Sequence, residues 1–233
     1  LSNTTGANNV AVGSLTLDAA TTASNNTAVG QGSMSATTTG ADNIAMGLSS
    51  LYTNTTGASN TALGRSALFA NTTASNNTGV GYFALKANTT GTSNVGVGAN
   101  ALEANTTGLQ NTSIGHLAGT DITTGRENVA VGYAALFTED TNNYNTAIGA
   151  RALQTSNGAD NNTAVGYSAL FANTTGHSNN AVGSTSLDAN TTGNGNNAFG
   201  YAALGANTTG DGSVAFGHEA LFVNTTGGSN TAF

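Results

Sequence analysis

Large apolar residues recur along the chain at two fixed phases of a 17-residue period. If residues 60–76 are numbered as positions 1 to 17, position 4 is Val, Leu, Ile, Met or Phe in all fourteen copies. Position 9 is Leu in eleven copies, Met34 in one and Gly119 in one. Because one coil of this length is too short to bury such residues alone, the pattern predicts stacked coils that share a continuous core. The predicted core residues from these two columns are Val12, Val29, Leu63, Val97, Val131, Val165, Leu68, Leu85, Leu102, Leu136, Leu170 and Leu204.

Glycine and turn-forming residues divide each repeat into short pieces. Position 5 is glycine in thirteen successive copies, from Gly13 to Gly217, without an insertion or deletion. Positions 12–15 commonly read Asn-Thr-Thr-Gly, which favours turns and argues against helices. We expect two short strands in each coil, at positions 1–5 and 7–11, paired in parallel with coils about 4.8 Å away. The predicted fold is an all-β parallel β-roll, or β-solenoid, of about fourteen coils and on the order of 65 Å long.

Side-chain alternation within the first strand predicts an oligomer. Neighbouring strand residues point to opposite faces, so position 3 faces away from the core assigned at position 4. Position 3 is nevertheless Ala, Gly or Ser in every copy, and position 8 is similarly small. The alternative is that these small residues fill the tight interior of one chain. We expect instead a homo-oligomer, with close packing along a seam that includes Ala28, Ala62, Gly96, Ala130, Ala164 and Ala198.

Asparagine forms a column of its own. Position 1 is Asn in thirteen copies and Ser213 in the remaining one. Stacked Asn side chains hydrogen-bond along a fibre axis and satisfy backbone groups at corners, so we expect a structural role rather than ligand binding. The repeated Asn-Thr-Thr triplet also matches the N-glycosylation sequon, but turn chemistry explains it without a sugar.

Aromatic residues form two further columns, at positions 6 and 10. One interpretation is packing between chains or over a corner of the coil. The other is an apolar stripe that binds a glycan or a protein receptor. The candidate binding residues are Tyr82, Tyr133, Tyr167 and Tyr201 at position 6, and Tyr52, Phe69, Phe137, Phe171 and Phe222 at position 10.

Composition narrows the classes of partner. Charged residues are only 6% of the chain, the net charge is −7, and four residues are basic. We expect no nucleic-acid partner, because phosphate binding needs clustered Lys and Arg. No apolar run is long enough to span a bilayer, so we expect no membrane insertion in this segment. The chain has no cysteine, which removes disulfides and thiolate metal sites and suits an extracellular protein.

The sequence contains no recognisable catalytic constellation. His116, His177 and His218 fall in distant coils, and no pair of carboxylates recurs at a fixed spacing. The acidic pair Glu139–Asp140 is best explained as a solvated corner. The Gly-x-Gly pieces lack the strand and helix context of a dinucleotide site. We therefore expect no enzyme activity, no cofactor and no metal ion.

The repeat nevertheless carries a family resemblance. The segment NTAVGYSALFANTTG, residues 162–176, resembles the head repeats of trimeric autotransporter adhesins and the repeats of tail-fibre-like proteins of bacteria and phages. The resemblance covers the whole chain. It implies a homotrimer of parallel β-rolls around one axis, displayed on a cell surface or virion for host attachment. The coil departs from the family by being longer than a typical adhesin head coil.

These observations predict a single repeat domain over residues 1–233, belonging to a longer fibrous protein. We expect a non-enzymatic, extracellular rod that acts as an adhesin, a tail-fibre segment or a spacer presenting a tip. Its expected partners are copies of itself and a host-surface glycan or protein. Two alternatives remain open. One is an extracellular filament or matrix protein whose coils stack end to end. The other is an ice-binding β-solenoid that uses the Thr rows at positions 13 and 14.

Overall fold

The fold is all-β, with one very short strand in each repeat. A computed structural model describes residues 2–138 and 141–233, and no helix occurs among them. The acidic pair Glu139–Asp140, predicted to form a solvated corner, lies outside the described residues. The strands are β1 Val10–Val12, β2 Thr27–Val29, β3 Ile44–Met46, β4 Thr61–Leu63, β5 Thr78–Val80, β6 Val95–Val97, β7 Thr112–Ile114, β8 Val129–Val131, β9 Thr146–Ile148, β10 Thr163–Val165, β11 Asn180–Val182, β12 Asn197–Phe199, β13 Val214–Phe216 and β14 Thr231–Ala232.

Within each half of the chain, the strands are parallel and follow one another in sequence order. Each of β1 to β6 and β8 to β13 pairs with the strand one repeat later, as Val10 pairs with Thr27 and Thr163 pairs with Asn180. This arrangement confirms the predicted β-solenoid with one coil for each repeat. The chain divides into two compact units, Leu1–His116 with β1 to β7 and Leu117–Phe233 with β8 to β14. The single-domain assignment remains a prediction.

The second strand predicted at positions 7–11 does not form in any described repeat, and that prediction is wrong. The segment is a turn with left-handed residues at positions 7 and 9, such as Ser66 (φ 54°) and Leu68 (φ 52°). A left-handed residue reverses the local direction of the backbone, so an extended strand cannot continue through it. The turn still bonds to both neighbouring coils. The Ser66 N–H donates to Leu48 O at 2.9 Å, and the Leu68 N–H donates to Ala84 O at 3.0 Å.

The apolar interior is formed by positions 3, 8 and 9, and the assignment of position 4 to the core is wrong. The predicted core leucines are fully buried: Leu68, Leu85, Leu102, Leu136, Leu170 and Leu204. The position-4 residues lie instead on the outer face of the sheet and are at least partly exposed: Val12, Val29, Leu63, Val97, Val131 and Val165. The predicted seam residues are buried inside their own chain, so they cannot contact a partner: Ala28, Ala62, Gly96, Ala130, Ala164 and Ala198. The small residues of position 3 therefore fill a tight interior, which is the alternative that the sequence left open.

The limited space inside the coil explains why position 3 faces inward and position 4 faces outward. The leucine column already fills the space that faces the strand. A Cβ added to Gly79 would lie 3.3 Å from Leu68 Cγ, and one added to Gly96 would lie 3.3 Å from Leu85 Cγ. A side chain larger than Ala or Ser therefore has no room at position 3. Alternation then turns the large residues of positions 2 and 4 outward.

Buried asparagines at position 1 tie each coil to the next. The Asn60 side chain is fully buried. Its Nδ2 donates to Asn43 Oδ1 at 3.1 Å and to Ala74 O, across the same coil, at 2.9 Å. Its Oδ1 accepts the backbone N–H of Asn77 at 3.0 Å. The pattern recurs in the second unit, for example at Asn162, and it confirms the predicted structural role of this column.

A second asparagine ladder runs along position 12. Asn71 Nδ2 donates to Asn54 Oδ1 and to Ala74 O, both at 3.0 Å. The Ala74 carbonyl therefore accepts one amide from each ladder. Asn54 and Asn71 belong to sequon triplets, yet their side chains are fully buried. The amides of these two sequons are thus inaccessible to a glycosyltransferase in the folded chain.

One repeat exchanges ladder and core residues. The position-12 ladder is interrupted after Asn105, whose buried Oδ1 has no hydrogen-bond partner among the described residues, and it occurs again from Asn173 to Asn224. The following repeat carries Ile122 at that position and Gly119 at the position of the core leucine. Ile122 is fully buried. The repeat that lacks the leucine therefore supplies its buried apolar side chain three residues later.

Glycine at position 5 is required on two grounds. Gly64 has a φ of 132°, which side chains strongly disfavour. A Cβ added to it would also lie only 2.5 Å from the carbonyl oxygen of Gly81 in the adjacent coil. Both conditions recur along the column, which explains the unbroken register of this residue.

Because position 3 faces inward and position 4 outward, substitutions at two neighbouring residues should change stability by very different amounts. Ala130→Leu should overpack the interior and destabilise the fold by about 1–3 kcal/mol or more. Val131→Leu, on the outer face, should change stability by less than about 0.5 kcal/mol. Chemical denaturation followed by circular dichroism measures both. A larger loss for Val131→Leu than for Ala130→Leu would contradict the assignment of faces.

The position-1 ladder predicts a large loss of stability when one of its asparagine side chains is removed. Asn60→Ala removes three side-chain hydrogen bonds and leaves the buried Asn77 N–H unpaired, at a cost on the order of 3 kcal/mol. Thr73→Ala, at an exposed position of the same repeat, is the matched control and should have little effect. Equal denaturation midpoints for the two variants would show that the ladder is not structural.

Candidate functional site

The outer face of the sheet presents an apolar surface in each unit. We define this outer face as the side chains at positions 2 and 4 of the strands. In the first unit Val10, Val12, Ile44 and Met46 are between 43% and 57% exposed. In the second unit Phe216 is 58% exposed, and its ring stacks on that of Phe199 with centroids 5.8 Å apart. Large apolar side chains are thus presented to solvent along the strands.

The outer face is large enough to hold a protein partner. Each unit contributes about fourteen outward side chains from its seven strands. At roughly 50 Å² each, counting methyl and hydroxyl groups together, they expose about 700 Å², which is comparable with the ~300–600 Å² of the largest apolar patch on an ordinary monomer. A standard protein–protein interface buries about 800 Å² on each partner. One unit therefore approaches that size.

The outer face carries no charged side chain, and most of its side chains are apolar. No Asp, Glu, Lys or Arg occupies positions 2–4 of any repeat, so the face has no charge with which to bind an ionic ligand. Its polar groups are threonine hydroxyls and two amides, Asn180 and Asn197, in adjacent coils. Asn180 Nδ2 donates to Asn197 Oδ1 at 2.8 Å.

The predicted aromatic stripe consists of two differently exposed columns. The position-6 tyrosines are 46–54% exposed: Tyr82, Tyr133, Tyr167 and Tyr201. The position-10 rings are partly buried except at the last repeat, where Phe222 is 43% exposed: Tyr52, Phe69, Phe137, Phe171 and Phe222. Ring stacking within the columns joins neighbouring coils, as at Tyr201 and His218 with centroids 5.1 Å apart.

A surface cavity of about 380 Å³ lies beside the position-10 column of the first unit. Tyr52 and Phe69 stack nearly parallel, with centroids 5.3 Å apart and an interplanar angle of 4°. Gly32 makes room for them, because a Cβ there would lie 3.2 Å from Tyr52 Cε2. Gly32 is the only glycine at position 7, and this departure is the sequence signal by which the cavity could have been found. The lining residues are Leu15, Gln31, Gly32, Leu48, Ser49, Tyr52 and Phe69.

The cavity has the size and the chemistry of a modest binding site. Its volume falls at the lower end of the ~300–1,000 Å³ range of small-molecule sites. Aromatic and leucine side chains provide apolar contact, while Gln31 and Ser49 provide hydrogen-bonding groups. A sugar ring or another small, partly apolar group is the class of ligand that this combination suits.

Two basic residues near the rings contact side chains of their own chain. Lys86 Nζ lies 4.0 Å from the centroid of the Phe83 ring and 3.5 Å from Glu103 Oε1. The Arg65 guanidinium lies 5.9 Å from the centroid of the Tyr82 ring. These contacts are cation–π and ion-pair interactions of surface groups, and each contributes little to stability.

The two threonine rows considered for ice binding differ in exposure. Position-13 hydroxyls donate to the backbone of the adjacent coil, as Thr38 Oγ1 does to Thr55 O at 3.1 Å. Position-14 side chains such as Thr39 and Thr56 are exposed. The structure therefore offers one exposed row of threonines, with the hydroxyls of the other row bonded to backbone.

The histidines occupy three separate local environments. His177 Nδ1 accepts the backbone N–H of Asp160 at 2.9 Å, and His218 Nδ1 lies 3.9 Å from Glu219 Oε2. His116 is exposed. Within residues 2–138 and 141–233, no group of three or more His, Cys, Asp or Glu side chains is placed to hold a metal ion. The same part of the chain contains no helix long and apolar enough to cross a bilayer.

Comparison with known proteins returns no match to a family model, a curated protein or a solved structure. The resemblance to adhesin heads and tail fibres therefore rests on the repeat residues, to which the structure adds the repeated parallel coil.

Asp188 provides a pH-dependent prediction. Partial burial raises the pKa of this position-10 carboxyl, and backbone hydrogen bonds at Asp188 and Ala189 oppose that rise more weakly. A pKa that is higher in the folded than in the unfolded state means that ionisation destabilises the fold, so stability is lost as pH rises through the folded pKa. Asp188→Asn should therefore raise the denaturation midpoint at pH 7 and leave it nearly unchanged at about pH 3, below the ordinary pKa of an Asp.

Asp18→Asn is the matched control, because Asp18 occupies the same repeat position but is exposed. It should change the midpoint little at either pH. An equal effect of Asp188→Asn at both pH values would show that burial of the charge is not its cause.

Proposed function

We propose that the chain is a non-enzymatic fibrous segment of the adhesin or tail-fibre kind, in which copies pack together along the outer face. The observation that carries this proposal is the apolar outer face, whose large side chains are partly or largely exposed in the single chain. It replaces the small-residue seam that the sequence suggested. The same repeats thus support an oligomer through positions 2 and 4 rather than through position 3.

A second copy of the chain is the partner that suits this surface. An identical copy presents rows of apolar side chains with the same spacing from one coil to the next. Packing two such faces together requires no complementary charge. Closed symmetry is the usual arrangement of identical chains. Three copies around a common axis would bury the outer face of each against the other two, which is the arrangement that adhesin-like repeats imply.

Such an assembly would serve as a stiff extracellular spacer or attachment element. Amide ladders at positions 1 and 12 and threonine bonds at position 13 link successive coils within each unit, which favours rigidity. Displayed on a cell surface or virion, the segment would either hold a tip domain away from the surface or bind a host molecule through its own side surfaces. The side surfaces available for a host glycan or protein are the exposed position-6 tyrosines and the cavity at Tyr52 and Phe69.

Native mass tests this proposal directly. Light scattering coupled to size exclusion should give about 68 kDa for three copies of the 22.8 kDa chain. Val97→Lys, which places a charge on the outer face, should dissociate the assembly while circular dichroism remains unchanged. Thr90→Lys, at an exposed position away from the strands, should leave the mass unchanged.

Other outcomes have distinct meanings. A wild-type mass of 22.8 kDa would contradict the proposal. A mass that grows with concentration would favour the end-to-end filament. Thermal hysteresis of a monomer would favour ice binding through the exposed position-14 row.

A further inference from the structure

The regularity of the repeat raises the question of how copies align along the outer face. Within each unit, each strand is followed by an equivalent strand one repeat later, with the same backbone register. Two copies displaced by one coil, roughly 4.8 Å, would therefore regain nearly all of their backbone geometry. In a β-structure whose pairing is so repetitive, register is weakly specified unless particular side chains fix it. Any such signal must come from departures from the repeat on the outer face.

Two neighbouring coils carry such a departure. Position 2 is Val, Ile or Thr in twelve strands and Asn in only two, at Asn180 and Asn197. The two residues pair in parallel register in β11 and β12, and Asn180 Nδ2 donates to Asn197 Oδ1. Both side chains are only partly buried in the single chain. Within the described chain, Asn180 Oδ1 accepts no hydrogen bond, so this acceptor remains for an external donor.

We propose that the Asn180–Asn197 pair fixes the register of copies of this chain against one another. This inference rests on the homo-oligomer proposed above. In register, the amides of each copy meet the same amides of the next copy and hydrogen-bond with them. Displaced by one coil, at least one amide of each copy would lie against apolar or hydroxyl side chains. An amide buried without a partner is costly, which disfavours the displaced arrangement.

The principle is the one by which a single polar residue in an otherwise apolar coiled-coil seam sets alignment at some cost in stability. A step in side-chain size lies next to the amides, because position 4 changes from Val182 to Phe199 and remains Phe at Phe216. This steric step is an alternative register signal. The experiment must therefore distinguish the amides from the rings.

Disulfide trapping between copies measures register. The chain has no cysteine, so Thr146→Cys and Thr163→Cys chains, substituted at paired position-2 sites of β9 and β10, are refolded together in equal amounts and oxidised. Copies in register give disulfides between equal residue numbers. Copies displaced by one coil give 146–163 disulfides, which peptide mass spectrometry distinguishes. The narrow distance range of a disulfide makes the readout selective.

The expected result is a background level of 146–163 disulfides in the wild-type sequence. Asn180→Val with Asn197→Val should raise that fraction at least about fivefold, because the signal against displacement is removed. Valine already occupies position 2 at Val10, Val95, Val129 and Val214, so the double variant should fold. Asn180→Thr with Asn197→Thr, which installs the commonest residue of the column, should raise the fraction as well.

Two controls complete the design. Thr61→Val with Thr78→Val makes two adjacent polar-to-apolar changes on the same face and should leave the fraction at background. Phe199→Val with Phe216→Val removes the steric step. If only the Phe variant raises the 146–163 fraction, or if neither Asn variant does, the assignment to the amides is overturned.

Failure of the underlying homo-oligomer is recognised separately. A monomeric mass of the wild type overturns the proposed function and this inference together. If the mass is oligomeric but no disulfide forms at these sites, the same test is repeated at Ile148 and Val165, the paired position-4 sites. An oligomer without disulfides at either pair does not use the outer face there, and the inference falls.

Discussion

The buried asparagine amide is the interaction on which the rest of this structure depends. A coil with only three residues of strand leaves most of its peptide groups in turns; many of these pair with the backbone of the adjacent coil, but the N–H at position 1 and the carbonyl at position 15 are paired by side chains. The position-1 side chain meets this need in two directions. It accepts a backbone N–H from the adjacent coil and donates across its own coil to the carbonyl at position 15. It therefore closes each coil and joins successive coils with one side chain, and aligned amides of this kind strengthen one another in a dry interior.

The leucine column and the amide ladders share a narrow interior, and this explains which features of the fold could be predicted from the sequence. The period, the parallel coil, the buried leucines and the role of Asn60 and its equivalents could all be predicted. Alternation showed that Ala130 and Val131 face opposite ways, but it did not show which of them faces inward. That choice depends on how much space the opposing leucine leaves, which is a property of the folded coil.

The missing second strand has a different cause. Leucine rarely adopts a positive φ, so nothing in the identity of Leu68 indicates a left-handed turn. The candidate surfaces were only partly visible for the same reason. The aromatic columns could be listed from the period, whereas the exposure of the outer face followed only after the strand faces were known. Departures from the repeat, such as Gly32 and Asn180, are visible in the sequence. Their positions beside the cavity and on the outer face follow only from the folded coil.

One repeat carries Gly119 at the leucine position and Ile122 at the ladder position, and this exchange shows which property all coils share. The interior of a coil requires a certain amount of apolar volume, and the chain delivers it from either of two positions. A repeat is therefore a module defined by its length and by the apolar volume that it buries, rather than by a fixed set of residues. Modules of this kind can be duplicated, deleted or recombined at the boundary between coils without changing the backbone on either side. The number of repeats and the sequence of surfaces along them can then vary independently of the fold.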